Sequence, residues 1–102
     1  MQVYVNVILP LPIANVYTYI LPQEYAGSVR VGTRVIVPFG KSKIYTALVY
    51  EIHFSAPENV ELKSVISVLD EQSVVRSTQL RFWEWLSGYY QCTLGEVYKA
   101  AL

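Results

Sequence analysis

The stretch Val35-Ile-Val-Pro-Phe-Gly-Lys-Ser-Lys-Ile-Tyr-Thr-Ala-Leu-Val49 decides how this chain is read. It holds two apolar, β-branched runs with Pro-Phe-Gly and a pair of lysines between them. Runs of that kind, broken by turn-forming residues, predict two strands of an antiparallel sheet joined by a tight connection. Proline presets φ at the second position of a type I turn and glycine suits the fourth, so the turn is expected at Val37-Pro38-Phe39-Gly40. The third strand is then Thr33 to Phe39, and the fourth runs over 44–54 as "IYTALVYEIHF".

Working outward, Val3, Val5 and Val7 alternate with Tyr4 and Asn6, the period of a strand with one buried face, until Pro10 and Pro12. Val16 to Pro22 repeats the pattern. Val16, Thr18 and Ile20 fall on one side, and Tyr17, Tyr19 and Leu21 on the other; alternation alone leaves open which side is buried. Gly27 and Gly32 permit turns before the third strand. After a loop at "APENVE", "LKSVISVLD" reads as a fifth strand.

From Ser77 the period changes. Leu80, Trp83, Leu86 and Tyr90 recur at three and four residues, predicting a helix over Thr78 to Tyr90 with Ser77 as N-cap. Trp83 and Leu86 are expected to cover an open end of the sheet, Trp85 to point elsewhere, and "LGEVYKAAL" to begin another helical segment. The expected fold class is mainly β with helix: a small antiparallel β-barrel-like domain, with a C-terminal helix packed on it, filling residues 1–102 as one domain.

Composition limits the chemistry. With 53% hydrophobic and 16% charged residues the chain can offset its ordering entropy, which excludes disorder. No apolar run approaches the roughly 18 residues of a membrane helix, and the N-terminus lacks a secretory signal, so a cytoplasmic location without membrane contact is expected. One histidine, His53, and one cysteine, Cys92, assemble no metal site and no nucleophile–base pair, so neither catalytic nor metal residues are assigned. Cys92 is expected to be a half-buried small hydrophobe, and His53 an exposed residue without a role. Eight Lys plus Arg balance eight Asp plus Glu, but Arg30, Arg34, Lys41 and Lys43 all fall between Glu24 and Glu51 with no acid among them. The middle of the chain is locally cationic.

Five blocks carry a family likeness: "LPLP" (Leu9 to Pro12), "YTYILP" (Tyr17 to Pro22), "VGTRVIVPFGK" (Val31 to Lys41), "ELKSVISVLD" (Glu61 to Asp70) and "WLSGYYQCTLGEV" (Trp85 to Val97). In this order and spacing the sequence resembles the N-terminal domain of the primosomal replication-restart helicase, primosomal protein N-prime. The resemblance implies a non-catalytic N-terminal part of a much longer bacterial, ATP-dependent 3′-to-5′ helicase. Its role there is to capture the 3′-hydroxyl terminal nucleotide of a nascent strand at stalled forks or D-loops. It also implies primosome proteins and single-stranded-DNA-binding protein as further partners. ATP and zinc belong to later domains of such a protein; this stretch has no cofactor and no Gly-x-x-x-x-Gly-Lys-Ser/Thr pattern.

Carried over by position, the resemblance implies a DNA 3′-end site at Tyr17, Thr18, Gly40 and Lys63. Lys41 joins them as a candidate phosphate contact. Thr18 departs from the pattern, since the family has an acid there and a threonine hydroxyl is the weaker acceptor. Ala47 departs too, standing where the family usually has glycine. Each residue also has a plainer reading: Tyr17 as a core tyrosine, Lys41 and Lys63 as solvated surface, Gly40 as a turn residue, and Phe39 as core. A protein-interaction or structural β domain, with the tyrosines and Trp85 as an adaptor surface, is the alternative from another class.

Overall fold

The computed structural model describes residues 2–57, 61–69 and 75–101. The middle of the predicted loop, 58–60, and Asp70 of the predicted fifth strand lie outside the described residues. The strands are β1 (Val3–Ile8), β2 (Tyr17–Leu21), β3 (Arg34–Phe39), β4 (Lys43–His53) and β5 (Ser67–Val68); the helices are α1 (Ser77–Tyr90) and α2 (Leu94–Ala101). Hydrogen-bonded neighbours run β2-β1-β4-β3-β5, every named pair antiparallel.

The segment carrying β5 joins the two ends of this order. Its N-terminal part bonds to β2, with Ile20 N–H donating to Lys63 O at 3.0 Å and Val65 N–H to Ile20 O at 2.9 Å. Its C-terminal part bonds to β3, with Ile66 N–H donating to Ile36 O at 2.8 Å and Leu69 N–H to Arg34 O at 2.9 Å. Part of each exposed edge is thereby paired, which is how a small barrel limits open strands. The fifth strand is far shorter than expected, because one segment serves two partners in succession and regular pairing lasts only for Ser67–Val68.

Alternation fills the interior with Val3, Val5, Val7, Tyr19, Leu21, Val35, Val37, Ala47 and Val49, joined by Val65 from the closing segment. The methyl of Ala47 is therefore part of the core. The opposite face of β1 and β4 is apolar as well: Ile8 and Leu48, paired across the two strands, pack with Val75, Leu80, Trp83 and Tyr98. The helices thus cover a broad face of the sheet. This corrects the expectation that Trp83 and Leu86 close an open end; Leu86 is only half buried and stands outside that cluster.

The connection between β3 and β4 also differs from the sequence reading. Pro38 and Phe39 belong to β3, opposite Ile44 and Lys43, and the chain turns at Gly40. Arg34 and Ile36 direct their carbonyls toward β5, so alternation sends the backbone of Pro38 the same way, past the point where β5 has ended. A missing N–H costs nothing on an unpaired edge, which admits proline there.

At α1 the N-cap is Arg76 rather than Ser77, and the Gln79 side chain accepts the Arg76 backbone N–H at 2.8 Å. Gln91 in the left-handed conformation (φ 54°) ends the helix. α2 starts on a reciprocal cap. The Thr93 hydroxyl accepts from Glu96 N–H at 3.1 Å while the Glu96 carboxylate accepts from Thr93 N–H at 3.0 Å. Cys92 is half buried, as expected.

Two features fix this helical layer. A β-bulge shifts the register between Asn6 and Val7, which face Glu51 and Val49, so Tyr50 has no partner on β1. Tyr50 bonds instead to Glu84 on α1; burial first, then that bond and the charges of Glu84 and Glu51, push its hydroxyl up to about 12. Gly95 at the start of α2 lies directly on the backbone of Leu9 and Leu11, where a Cβ would fall far inside contact distance of both carbonyl oxygens.

Gly95→Ala should lower stability by about 2 kcal/mol or more despite alanine's better helix propensity, because backbone has to move; denaturant unfolding measures it. The folded state holds the Tyr50 proton more tightly than the unfolded chain, whose value is near 10. Tyr50's contribution is therefore complete below about pH 10 and lost as the pH rises toward 12. Thermal melts across that window should fall less steeply for Tyr50→Phe than for the unmodified chain.

Candidate functional site

Closing the barrel brings the start of β2 beside the end of β3, two strands that are not neighbours in the sheet. The seam between them holds an open cavity of about 440 Å³, lined among others by Tyr17, Thr18, Phe39, Gly40, Glu61 and Lys63. Four of the five site residues predicted from the sequence therefore line one cavity. Lys41 is exposed in the adjoining turn and is not part of the lining.

Each wall has a local cause. Tyr17 is half buried and meets Phe39 edge-on, with ring centroids 5.1 Å apart at 77°, and Phe39 in turn meets Tyr45 at 6.0 Å and 68°. Both plain readings of Tyr17 and Phe39 hold in part, since both pack against the barrel core while lining the cavity. Beneath them, buried Tyr19 donates its hydroxyl to Pro38 O at 2.7 Å, pinning β2 to β3 across the seam. Burial, then the neighbouring Tyr17, pushes the Tyr19 hydroxyl pKa up, so it stays a proton donor.

Gly40 has φ +74°, a conformation that side-chain-bearing residues rarely adopt, and the space where a Cβ would stand is open. Glycine is thus required here by backbone conformation, and its small size leaves the backbone accessible. Lys63 Nζ donates to Gly40 O at 3.0 Å. That uses one of three ammonium donors and leaves two for a ligand. Because Lys63 O also accepts from Ile20 N–H, this one residue ties the turn, the closing segment and β2 together.

Thr18 presents a different arrangement. Its hydroxyl donates to Asn6 Oδ1 at 2.6 Å on the outer face of the sheet. Asn6 Nδ2 donates to Glu51 Oε1 at 3.1 Å, and His53 Nε2 lies 3.0 Å from the same Asn6 Oδ1. With the amide oriented by Glu51, its oxygen is an acceptor only, which puts the imidazole proton on Nε2. The hydroxyl proton of Thr18 is thus committed within the protein. His53 is not the exposed, unengaged residue expected from the sequence: it is half buried, and Tyr4 stacks on it at 5.9 Å and 23°.

The sequence reading did not single out Glu61, Leu62, Pro57 or Tyr19 for the cavity. Glu61 and Leu62 carried a usable signal, since they share a block with Lys63. Tyr19 carried none beyond strand alternation. No group of His, Cys, Asp or Glu able to hold a metal occurs among the described residues. A neutral aromatic ring, an accessible glycine backbone, one ammonium and one carboxylate around an open cavity suit binding a small polar, planar group.

Three replication restart proteins PriA are similar to the chain. That of Treponema pallidum is 28% identical over 101 residues, covering 94% of this chain and 15% of that protein. That of Haemophilus influenzae is 30% identical over 99 residues (96% and 13%), and that of Rickettsia felis 34% over 94 residues (90% and 14%). The chain thus spans about 15% or less of the length of these relatives. The model of the 3′ DNA-binding domain (3′BD) family matches residues 6–102, and the chain belongs to that family, the 3′ DNA-binding domain of replication restart protein PriA.

Proposed function

We propose that this chain binds a single DNA strand at its 3′-hydroxyl terminus, holding the last nucleotide in the seam cavity. The convergence of Tyr17, Gly40 and Lys63 on that cavity carries the reading. Capture of a terminus without reading a sequence calls for a π-face for the base, a donor for a phosphate or sugar oxygen, and a wall where the strand would otherwise continue. Tyr17 offers the first, Lys63 the second, and the Gly40 turn, tied to Lys63, the third. A wall fitted to a hydroxyl leaves no room for a further phosphate, which excludes internal nucleotides and phosphorylated ends.

Family membership extends the proposal. The chain serves as the end-binding, N-terminal part of a longer ATP-dependent 3′-to-5′ helicase that restarts replication in the bacterial cytoplasm. Its DNA targets are then forks and D-loops, and its protein partners other primosome components and single-stranded-DNA-binding protein. ATP and zinc belong to the parts of that protein outside this chain.

One observation favours the second reading, a protein-interaction surface. Phe82, Trp85 and Tyr89 form an exposed ladder of stacked rings on α1, with centroids 6.0 and 5.1 Å apart, continued edge-on by Tyr90. These faces are occupied by one another, which suits docking of an apolar surface better than intercalation of bases. Such association would be insensitive to salt and is compatible with end capture elsewhere on the molecule.

Anisotropy of short labelled strands tests the proposal. A 3′-hydroxyl strand should bind with micromolar to millimolar affinity and clearly more tightly than its 3′-phosphorylated twin, and Tyr17→Ala should cost about 1–3 kcal/mol of that affinity. Equal affinities for the two ends would overturn it.

A further inference from the structure

We infer that Lys43 holds the phosphodiester joining the last two nucleotides, so that a bound strand leaves the seam cavity over the β4 arm of the β3–β4 hairpin; the inference rests on the end-capture reading above. Strand register puts Lys43 at that point. Val35, Val37 and Phe39 share the face of β3 that continues the barrel interior, and their partners across the hairpin are Ala47, Tyr45 and Lys43. Residues directly opposite one another lie on one face, with Cβ atoms about 5 Å apart. Lys43 therefore stands one cross-strand step from Phe39, which lines the cavity and meets Tyr17 edge-on. Tyr45 is half buried against the same Phe39 ring, whereas Lys43, one pair nearer the turn, is exposed. The face that is apolar inside the barrel thus ends in an ammonium beside the cavity.

Charge selects this route. The cavity is lined from β2, from the end of β3 and from the closing segment, and a strand held by its last nucleotide has to cross one of these borders. The closing segment carries Glu61, and the outer face of β2 leads from Thr18 to Asn6 and on to the Glu51 carboxylate. The hairpin carries Lys41 and Lys43, with no acid anywhere from Thr33 to Tyr50. Every linkage of the strand is an anion, so the first two borders repel it and the third attracts it over a range of about 10 Å at 0.1 M salt. Lys63 is drawn to Gly40 O, at the wall proposed to meet the 3′ oxygen, so the linkage on the other side of the sugar falls to the hairpin. Lys41 lies in the turn itself; Lys43 shares the face of Phe39. An ammonium is a point charge that any phosphate satisfies, and such a contact positions a strand without reading its bases.

The test uses short 3′-hydroxyl strands, titrated at low salt, in which a neutral methylphosphonate replaces the phosphodiester either at the last linkage or several linkages from the end. Neutralising the last linkage should weaken binding to the unmodified chain about twofold to fivefold, a modest loss because Lys43 is exposed. Neutralising the distant linkage should matter less. Lys43→Ala should abolish the effect of the last linkage, and Lys43→Arg should keep it. For the fully charged strand, Lys43→Ala should also lower the slope of log affinity against log salt by about 0.7, the share of one phosphate contact. Substitution at this exposed position should leave the thermal melt unchanged, which separates a lost contact from a lost fold. No loss on neutralising the last linkage, an equal loss from the distant one, or a last-linkage effect that survives Lys43→Ala overturns the inference. A 3′-phosphorylated strand distinguishes the two levels. If it binds as well as its hydroxyl twin, end capture itself fails, whereas a retained hydroxyl preference with no dependence on the last linkage removes only the role of Lys43.

Discussion

Closure of the sheet by the segment from Lys63 to Leu69 is the constraint on which the rest depends. Four backbone hydrogen bonds, two to Ile20 and one each to Ile36 and Arg34, tie β2 to β3 although these strands lie apart in the sheet order. Without that tie, Tyr17 on one strand and Gly40 at the end of the other would have no reason to face each other. The Tyr19 hydroxyl on Pro38 O and the Lys63 ammonium on Gly40 O then set the spacing across the seam. The cavity is a consequence of closing the barrel with a segment too short to pair regularly with both edges.

The sheet has two buried faces, and the helices answer the second. Val3, Val5 and Val7 of β1 and Ala47 and Val49 of β4 fill the barrel, while Ile8 and Leu48 look outward and need Leu80, Trp83 and Tyr98 to cover them. This layer stands on the outer side of the barrel, so α1 can display aromatic side chains to another surface without contributing to the seam. The proposed end-binding seam and the proposed docking face of α1 thereby lie on separate parts of a small molecule.

Strand alternation in Val3 to Val7 and the change of period after Ser77 made β1 and α1 legible in the sequence, because each follows from local geometry alone. The Pro-Phe-Gly turn was misplaced for an equally local reason: its turn chemistry is good, but Pro38 sits where β5 has already ended and needs no N–H partner. The docking face of the helices had a signal in the unbroken apolar run Ala47-Leu48-Val49, which marks a strand buried on both sides. Tyr17, Thr18, Gly40 and Lys63 were placed by likeness to a family, and the structure brings all four to one cavity. The engagement of Thr18 and His53 with Asn6 depends on cross-strand register, which no spacing along a single strand contains.

The central claim is that one terminal nucleotide sits in the seam, and amide NMR during titration with a 3′-hydroxyl dinucleotide tests it most directly. Shifts concentrated on Tyr17, Gly40 and the Lys63 segment, and absent when the 3′ oxygen is phosphorylated, are the predicted result. Shifts confined to the aromatic face of α1, or spread evenly over the cationic middle of the chain whichever end is offered, would contradict it.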